Sequence, residues 1–163
     1  MSLDSPVIEQ HGDTFRMVYE EVYRTDIDDL WSAVTTPDRL ARWMAEYSGD
    51  LRDGGSWEVA SDGEIWGRGT VTSCDAPHAF TTTWHATGEQ PTELVVRLEP
   101  AEGGTRLVLE HTGIQSIFYG AGWQTYLERL VTLLAGGEVG GEDAWQARYT
   151  ELRPVYDTKF AAL

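Results

Sequence analysis

Four histidines, a single cysteine and a surplus of carboxylates are the side chains in this sequence with the means to do chemistry. His11, His78, His85 and His111 have no partners at a spacing that would bring two ligands onto one metal, so neither a metal site nor a cofactor is expected. Gly54-Gly55 sits between strand-like runs, where a hairpin turn needs it, and not ahead of a helix, where a phosphate loop would. Cys74 has no base near it in the chain to generate a thiolate and reads as an inert strand residue. His111 is different. It shares strand parity with Leu107 and Leu109, which aims it at a covered face. There it could bond a ligand or move protons, or it could be a core histidine satisfied by backbone. Arg68 and Glu64, close to the Asp62-Gly63 turn, could orient a polar ligand group but read more simply as a solvated edge.

Aromatic residues are the other unusual resource. The chain holds seven tryptophans and seven tyrosines. Trp57, Trp84, Tyr119, Trp123 and Tyr126 either line a cavity or fill it, and with His111 they form the candidate ligand-binding set. No catalytic residue is assigned.

Composition narrows the setting. A chain of 163 residues suits one domain with a core large enough to fold without disulfides. One cysteine excludes an intrachain disulfide and fits a reducing cytoplasm. No apolar run approaches the ~18 residues of a membrane span, and the N-terminus lacks the pattern of a signal peptide. A formal net charge of -15 repels phosphate backbones, so nucleic acid is not expected as a partner.

These residues must be positioned by strands and helices that the patterning makes visible. Residues 1–13 are polar and read as an irregular arm. Phe15 to Tyr23 reads as a strand, and Thr25 with Asp28 has capping-box spacing at the start of a short helix. Thr36-Pro37-Asp38 opens a second short helix. Trp31, Leu40, Trp43 and Met44 lie on the apolar sides of this pair. From Tyr47 to His111 six strands follow, separated by turns such as Asp53-Gly54-Gly55, Asp62-Gly63 and Glu102-Gly103-Gly104, as in an antiparallel meander. Ser116 to Ala135 has helical spacing at Ile117, Phe118, Ala121, Leu127, Leu130, Val131 and Leu134, with Ser116 as N-cap. The expected fold is α+β: a seven-strand antiparallel sheet whose apolar face is covered by this long helix, with two short helices after the first strand. A Gly-rich linker then leads to a tail whose Trp145, Tyr149, Leu152, Tyr156, Phe160 and Leu163 recur at helical steps. Pro154 predicts two helical pieces there. Their apolar stripe requires docking, on the chain's own domain or on a second copy in a homodimer.

Four stretches resemble one known family. Leu30-Trp31-Ser32-Ala33-Val34-Thr35-Thr36-Pro37-Asp38-Arg39-Leu40-Ala41-Arg42-Trp43 is similar to a signature of the activator of heat-shock-protein-90 ATPase homologue family. Asp50-Leu51-Arg52-Asp53-Gly54-Gly55-Ser56-Trp57 looks like its Asp-x-Arg-x-Gly-Gly-x-aromatic turn. Thr105 to Gly113, and Gly122-Trp123 with Leu127 and Leu130, look like its last strand and helix. The resemblance implies a START-like (SRPBCC) helix-grip domain over residues 14–136, with an apolar cavity between sheet and helix, followed by a linker and helical tail over 137–163. Three functions follow from it as expectations. The first is binding of a small apolar or aromatic molecule in the cavity. The second is a polyketide cyclase- or aromatase-like enzyme using His111 or a tyrosine. The third is a co-chaperone-like module that works through its outer surface.

Overall fold

The computed structural model describes residues 2–163. In chain order the elements are β1 (Val7–His11), β2 (Thr14–Tyr23), α1 (Ile27–Thr35), α2 (Pro37–Trp43), β3 (Glu46–Gly49), β4 (Ser56–Ser61), β5 (Glu64–Asp75), β6 (Ala79–Ala86), β7 (Thr92–Ala101), β8 (Gly104–Ile114), α3 (Phe118–Leu134) and α4 (Glu142–Ala161). All strand pairings are antiparallel, and the order across the sheet is β1-β2-β8-β7-β6-β5-β4-β3. The first and last strands of the meander thus lie far apart, and the short helices α1 and α2 make the crossover between β2 and β3.

Alternation along the strands decides what faces the helix. Met17, His111, Leu94 and Thr82 form one continuous row across four strands, and Tyr19, Leu109, Val96 and Phe80 form the next. All eight side chains are buried. Opposite them lies α3, in which Tyr119, Ala121, Trp123, Leu127 and Leu130 are buried. Two β2 tyrosines fasten the helix to the sheet. The Tyr19 hydroxyl reaches the Gly120 carbonyl, and the Tyr23 hydroxyl donates to the Leu127 carbonyl at 3.1 Å. Each ring therefore keeps a hydrogen bond in a dry interior, as a buried phenol must.

The sheet has eight strands where seven are expected from the sequence. The extra strand is β1, in the stretch read as an irregular arm. It is an edge strand in which only Ile8 is half-buried, so its residues carry no apolar alternation to betray it. Its partner β2 holds it through a hairpin at Gly12-Asp13 and through Arg16, which pairs with both Glu9 and Glu110.

Helix starts differ too. Asp26, rather than Thr25, caps α1: its carboxylate accepts the Asp29 N–H at 2.8 Å, while Thr25 donates to the Asp29 side chain at 2.6 Å. The long helix begins at Phe118, two residues after Ser116, whose hydroxyl accepts the Phe118 N–H at 3.2 Å. Ile117, Phe118 and Val131, assigned above to the apolar stripe of the long helix, and Leu163, assigned to that of the tail, are exposed, and Trp31 is only half-buried.

The tail is one helix of 20 residues, not two pieces, with Pro154 inside it. Proline removes the donor that the Thr150 carbonyl would have used. Both Pro154 and Thr150 are exposed, so that carbonyl is open to solvent and the lost bond costs little. Leu152 and Tyr156, on either side of the proline, are buried against the domain and keep the helix in register.

α4 lies so close to α3 that Gly120 cannot carry a side chain. A Cβ there would stand 2.4 Å from the Tyr156 ring. That ring cannot turn aside, because its hydroxyl donates to Gln124 Oε1 at 2.7 Å and lies 3.0 Å from the Tyr19 hydroxyl. Gly120→Ala is therefore expected to lower stability by about 1–3 kcal/mol. A urea midpoint unchanged from the parent would contradict the close packing of α3 on α4.

Candidate functional site

A cavity of about 230 Å³ remains between the β5–β6 end of the sheet, the first turns of α3 and the end of α2. Trp84, Tyr119, Trp123 and Tyr126 line it, joined by Met44, Trp66, Phe118, Gly122, Ala86, Thr87 and Glu89. Each wall has a distinct origin. Trp84 and Ala86 share the inward parity of β6. Tyr119, Trp123 and Tyr126 lie at three- and four-residue steps on α3. Glu89 comes from the loop after β6, whose turn is closed by the Glu89 N–H donating to the Ala86 carbonyl at 3.1 Å.

Trp66 was not among the candidates, and strict alternation would have turned it outward. In the β4–β5 pairing Val59 faces Gly67 while Ala60 faces Ile65, so Trp66 is the extra residue of a bulge. The bulge re-aims the ring, which packs 5.9 Å from Trp84 and donates its indole N–H to Ser61 at 3.0 Å. Nearby, Gly69 lets β5 press on Trp57: a Cβ there would come within 2.4 Å of that ring. Phe118 and Met44 were placed on apolar helix faces by their spacing, but nothing in the spacing marks them as lining. Glu89 carried no signal beyond its place in a loop.

Trp57 lies one layer deeper. Its ring centroid is 5.3 Å from that of Trp84, and its indole N–H donates to Thr82 Oγ1 at 2.8 Å. It does not line that cavity: it borders a second void of about 40 Å³ among the core side chains and an open groove shared with Arg68 and Thr83, so the deep core is nearly filled by side chains while the outer cavity is not.

His111 is fully buried behind this lining. Its Nδ1 accepts from the Trp123 indole N–H at 3.0 Å. Since an indole can only donate, Nδ1 carries no proton and Nε2 must. Nε2 then donates to Thr92 Oγ1 at 2.7 Å, and Thr92 passes its own proton to the Trp84 carbonyl at 2.8 Å. Burial drives the imidazole pKa down to about 3. The histidine is thus a neutral brace that fixes Trp123 and Trp84, both ring nitrogens engaged.

The polar part of the cavity is a short chain of contacts. The Trp84 indole N–H reaches the Tyr119 hydroxyl at 3.3 Å, and Tyr119 donates to Glu89 Oε2 at 3.3 Å. Burial raises the Tyr119 pKa, and it pushes Tyr126 up to about 12, so both remain hydroxyl donors at neutral pH. Among the described residues, no group of three or more His, Cys, Asp or Glu side chains could hold a metal ion. Among the described residues, no helix is long and apolar enough to cross a membrane.

An antiparallel sheet closed over a long helix, with an aromatic-lined cavity between the two, is the architecture of a START-like helix-grip domain. Residues 24–135 match the family model described as activator of Hsp90 ATPase homolog 1-like protein, and the chain belongs to that family. Among solved structures it is similar to CalU16 from Micromonospora echinospora, with 27% identity over 93% of this chain and 96% of that one and a TM-score of 0.69. It also resembles DynU16, a protein in the dynemicin biosynthetic locus, at 22% identity over 81% of this chain and 51% of that one, with a TM-score of 0.69. A protein of unknown function from Enterococcus faecalis, EF2215, shares the fold at 17% identity over 98% of this chain and 92% of that one, with a TM-score of 0.76. No curated protein matches the chain.

Proposed function

We propose that this protein binds one small aromatic or largely apolar molecule in the cavity between β5–β6 and α3. The observation that carries the reading is the unfilled space of about 230 Å³ walled by Trp66, Trp84, Phe118, Tyr119, Trp123 and Tyr126. A dry cavity of ~150 Å³ already accepts benzene, so this one suits a substituted single ring or a fused pair. It lies below the ~300–1,000 Å³ usual for drug-sized ligands, which argues against an extended chain folded inside. Proton transfer by His111 draws less support, because both of its ring nitrogens are held by Trp123 and Thr92 and its burial favours the neutral form.

Titration calorimetry with naphthylmethanol tests the reading. Binding is expected at one molecule per chain. Ala86 is buried at the cavity wall, so Ala86→Phe should fill the space and abolish binding while leaving the protein folded. Absence of heat with the parent protein, or undiminished binding by the filled variant, would remove this cavity as the binding site.

A further inference from the structure

We propose that the occupant is an aromatic cation: a small ring system bearing one protonated or quaternary amine that is held at Glu89. The inference rests on the binding reading above and specifies its ligand class. Among the residues that line the cavity, Glu89 carries the only formal charge. Its Oε2 accepts from Tyr119 at a long 3.3 Å, and among the described residues no donor reaches Oε1. The carboxylate therefore stands at the cavity with acceptor capacity to spare.

Other charges nearby do not reverse this sign. Close to the Tyr126 hydroxyl stand Arg129 and Glu142, which oppose one another. The Arg129 guanidinium is also committed to the carbonyls of Trp43, Val139 and Gly140. His111 behind the wall is neutral. The N-terminus of α3 at Phe118 offers a partial positive charge of roughly half a unit, less than the full negative charge of Glu89. The indole rings of Trp66, Trp84 and Trp123 line the same space, and tryptophan is the side chain that best receives a cation. An anionic ligand would meet Glu89 and a chain of net charge -15, and a neutral one would bring no charge to oppose the carboxylate.

The test compares naphthylmethylamine, naphthylmethanol and naphthoate by calorimetry at neutral pH. The three probes share a ring system and differ in charge. The amine is expected to bind about tenfold more tightly than the alcohol, the gain of one charge-assisted hydrogen bond, and the carboxylate most weakly. Glu89→Gln should erase the advantage of the amine over the alcohol, and an aromatic circular dichroism spectrum matching the parent's shows that the variant is folded. Equal affinity of amine and alcohol for the parent, or an equal loss of both in the variant, overturns the charge preference while the binding reading stands. If none of the three binds, the binding reading falls and this inference with it.

Discussion

A chain ended after Gly141 should lose cooperative folding or retain only a small fraction of its stability. α4 carries no part of the sheet, yet it completes the core. Leu152 and Tyr156 are buried, and Trp145, Tyr149 and Phe160 are partly so. At about 1.5–3 kcal/mol for a fully buried large side chain and half that for a partly buried one, the five together contribute roughly 5–10 kcal/mol. That is comparable to the ~5–15 kcal/mol of a whole domain. The truncation also strands polar partners. Arg148 makes a bidentate pair with Glu128 at 2.7 and 2.9 Å, and Tyr156 bonds Gln124. Trp145 and Tyr149 stack on each other and on Phe118, which lines the cavity, so its wall loses its backing. Near-ultraviolet circular dichroism and urea titration are the measurements. A truncated chain with the parent's midpoint and aromatic spectrum would show that α4 is an appendage.

Lowering the pH from 7 to 5 should weaken the fold by about 2 kcal/mol through His111 alone. The sign follows from which form burial favours. In the unfolded chain the imidazole takes up its proton near pH 6.5, whereas in the folded protein it does so only near pH 3. Below 6.5 the unfolded state therefore binds more protons. Stability is fully present above that pH and drains away as the pH falls toward 3, where the loss reaches about 4 kcal/mol. Carboxylates contribute little between pH 7 and 5, because their ordinary pKa values lie lower. His111→Gln should flatten this part of the profile. Equal urea midpoints for the parent at pH 7 and 5, or the same slope in the variant, would be the contrary result. Nitrogen chemical shifts of the ring should report a neutral imidazole protonated at Nε2 at both pH values, as the Trp123 donor requires.

Much of the domain is visible in short-range pattern. The strands from Phe15 to Ile114 alternate because one face of each is dry, and that period survives in the order of residues. The same rule puts His111, Trp84 and Trp57 on the covered face, and the helical period of the Ser116–Ala135 stretch identifies the cover, whose helix spans Phe118–Leu134. The four family stretches lie within or beside these elements. β1 was not visible, because an edge strand wetted on both faces has no period to show. α4 was read as broken because Pro154 is a local signal for interruption, while the contacts of Leu152 and Tyr156 that override it come from residues far away in the chain.

The site divides along the same line. That aromatic rings would gather between sheet and helix is a matter of parity and composition, both of which are properties of the chain taken locally. Which rings line a space and which fill one depends on distances between elements of an ångström or two. Trp57 is driven against Trp84 by the close approach of Gly69, Trp66 is swung inward by a bulge, and Glu89 is carried to the mouth by a loop. His111 lost its apparent freedom to act as acid or base because Trp123 and Thr92, distant in the chain, take up its two nitrogens. Spacing encodes the direction a side chain faces. What it meets there is set by the packing of segments that spacing does not relate.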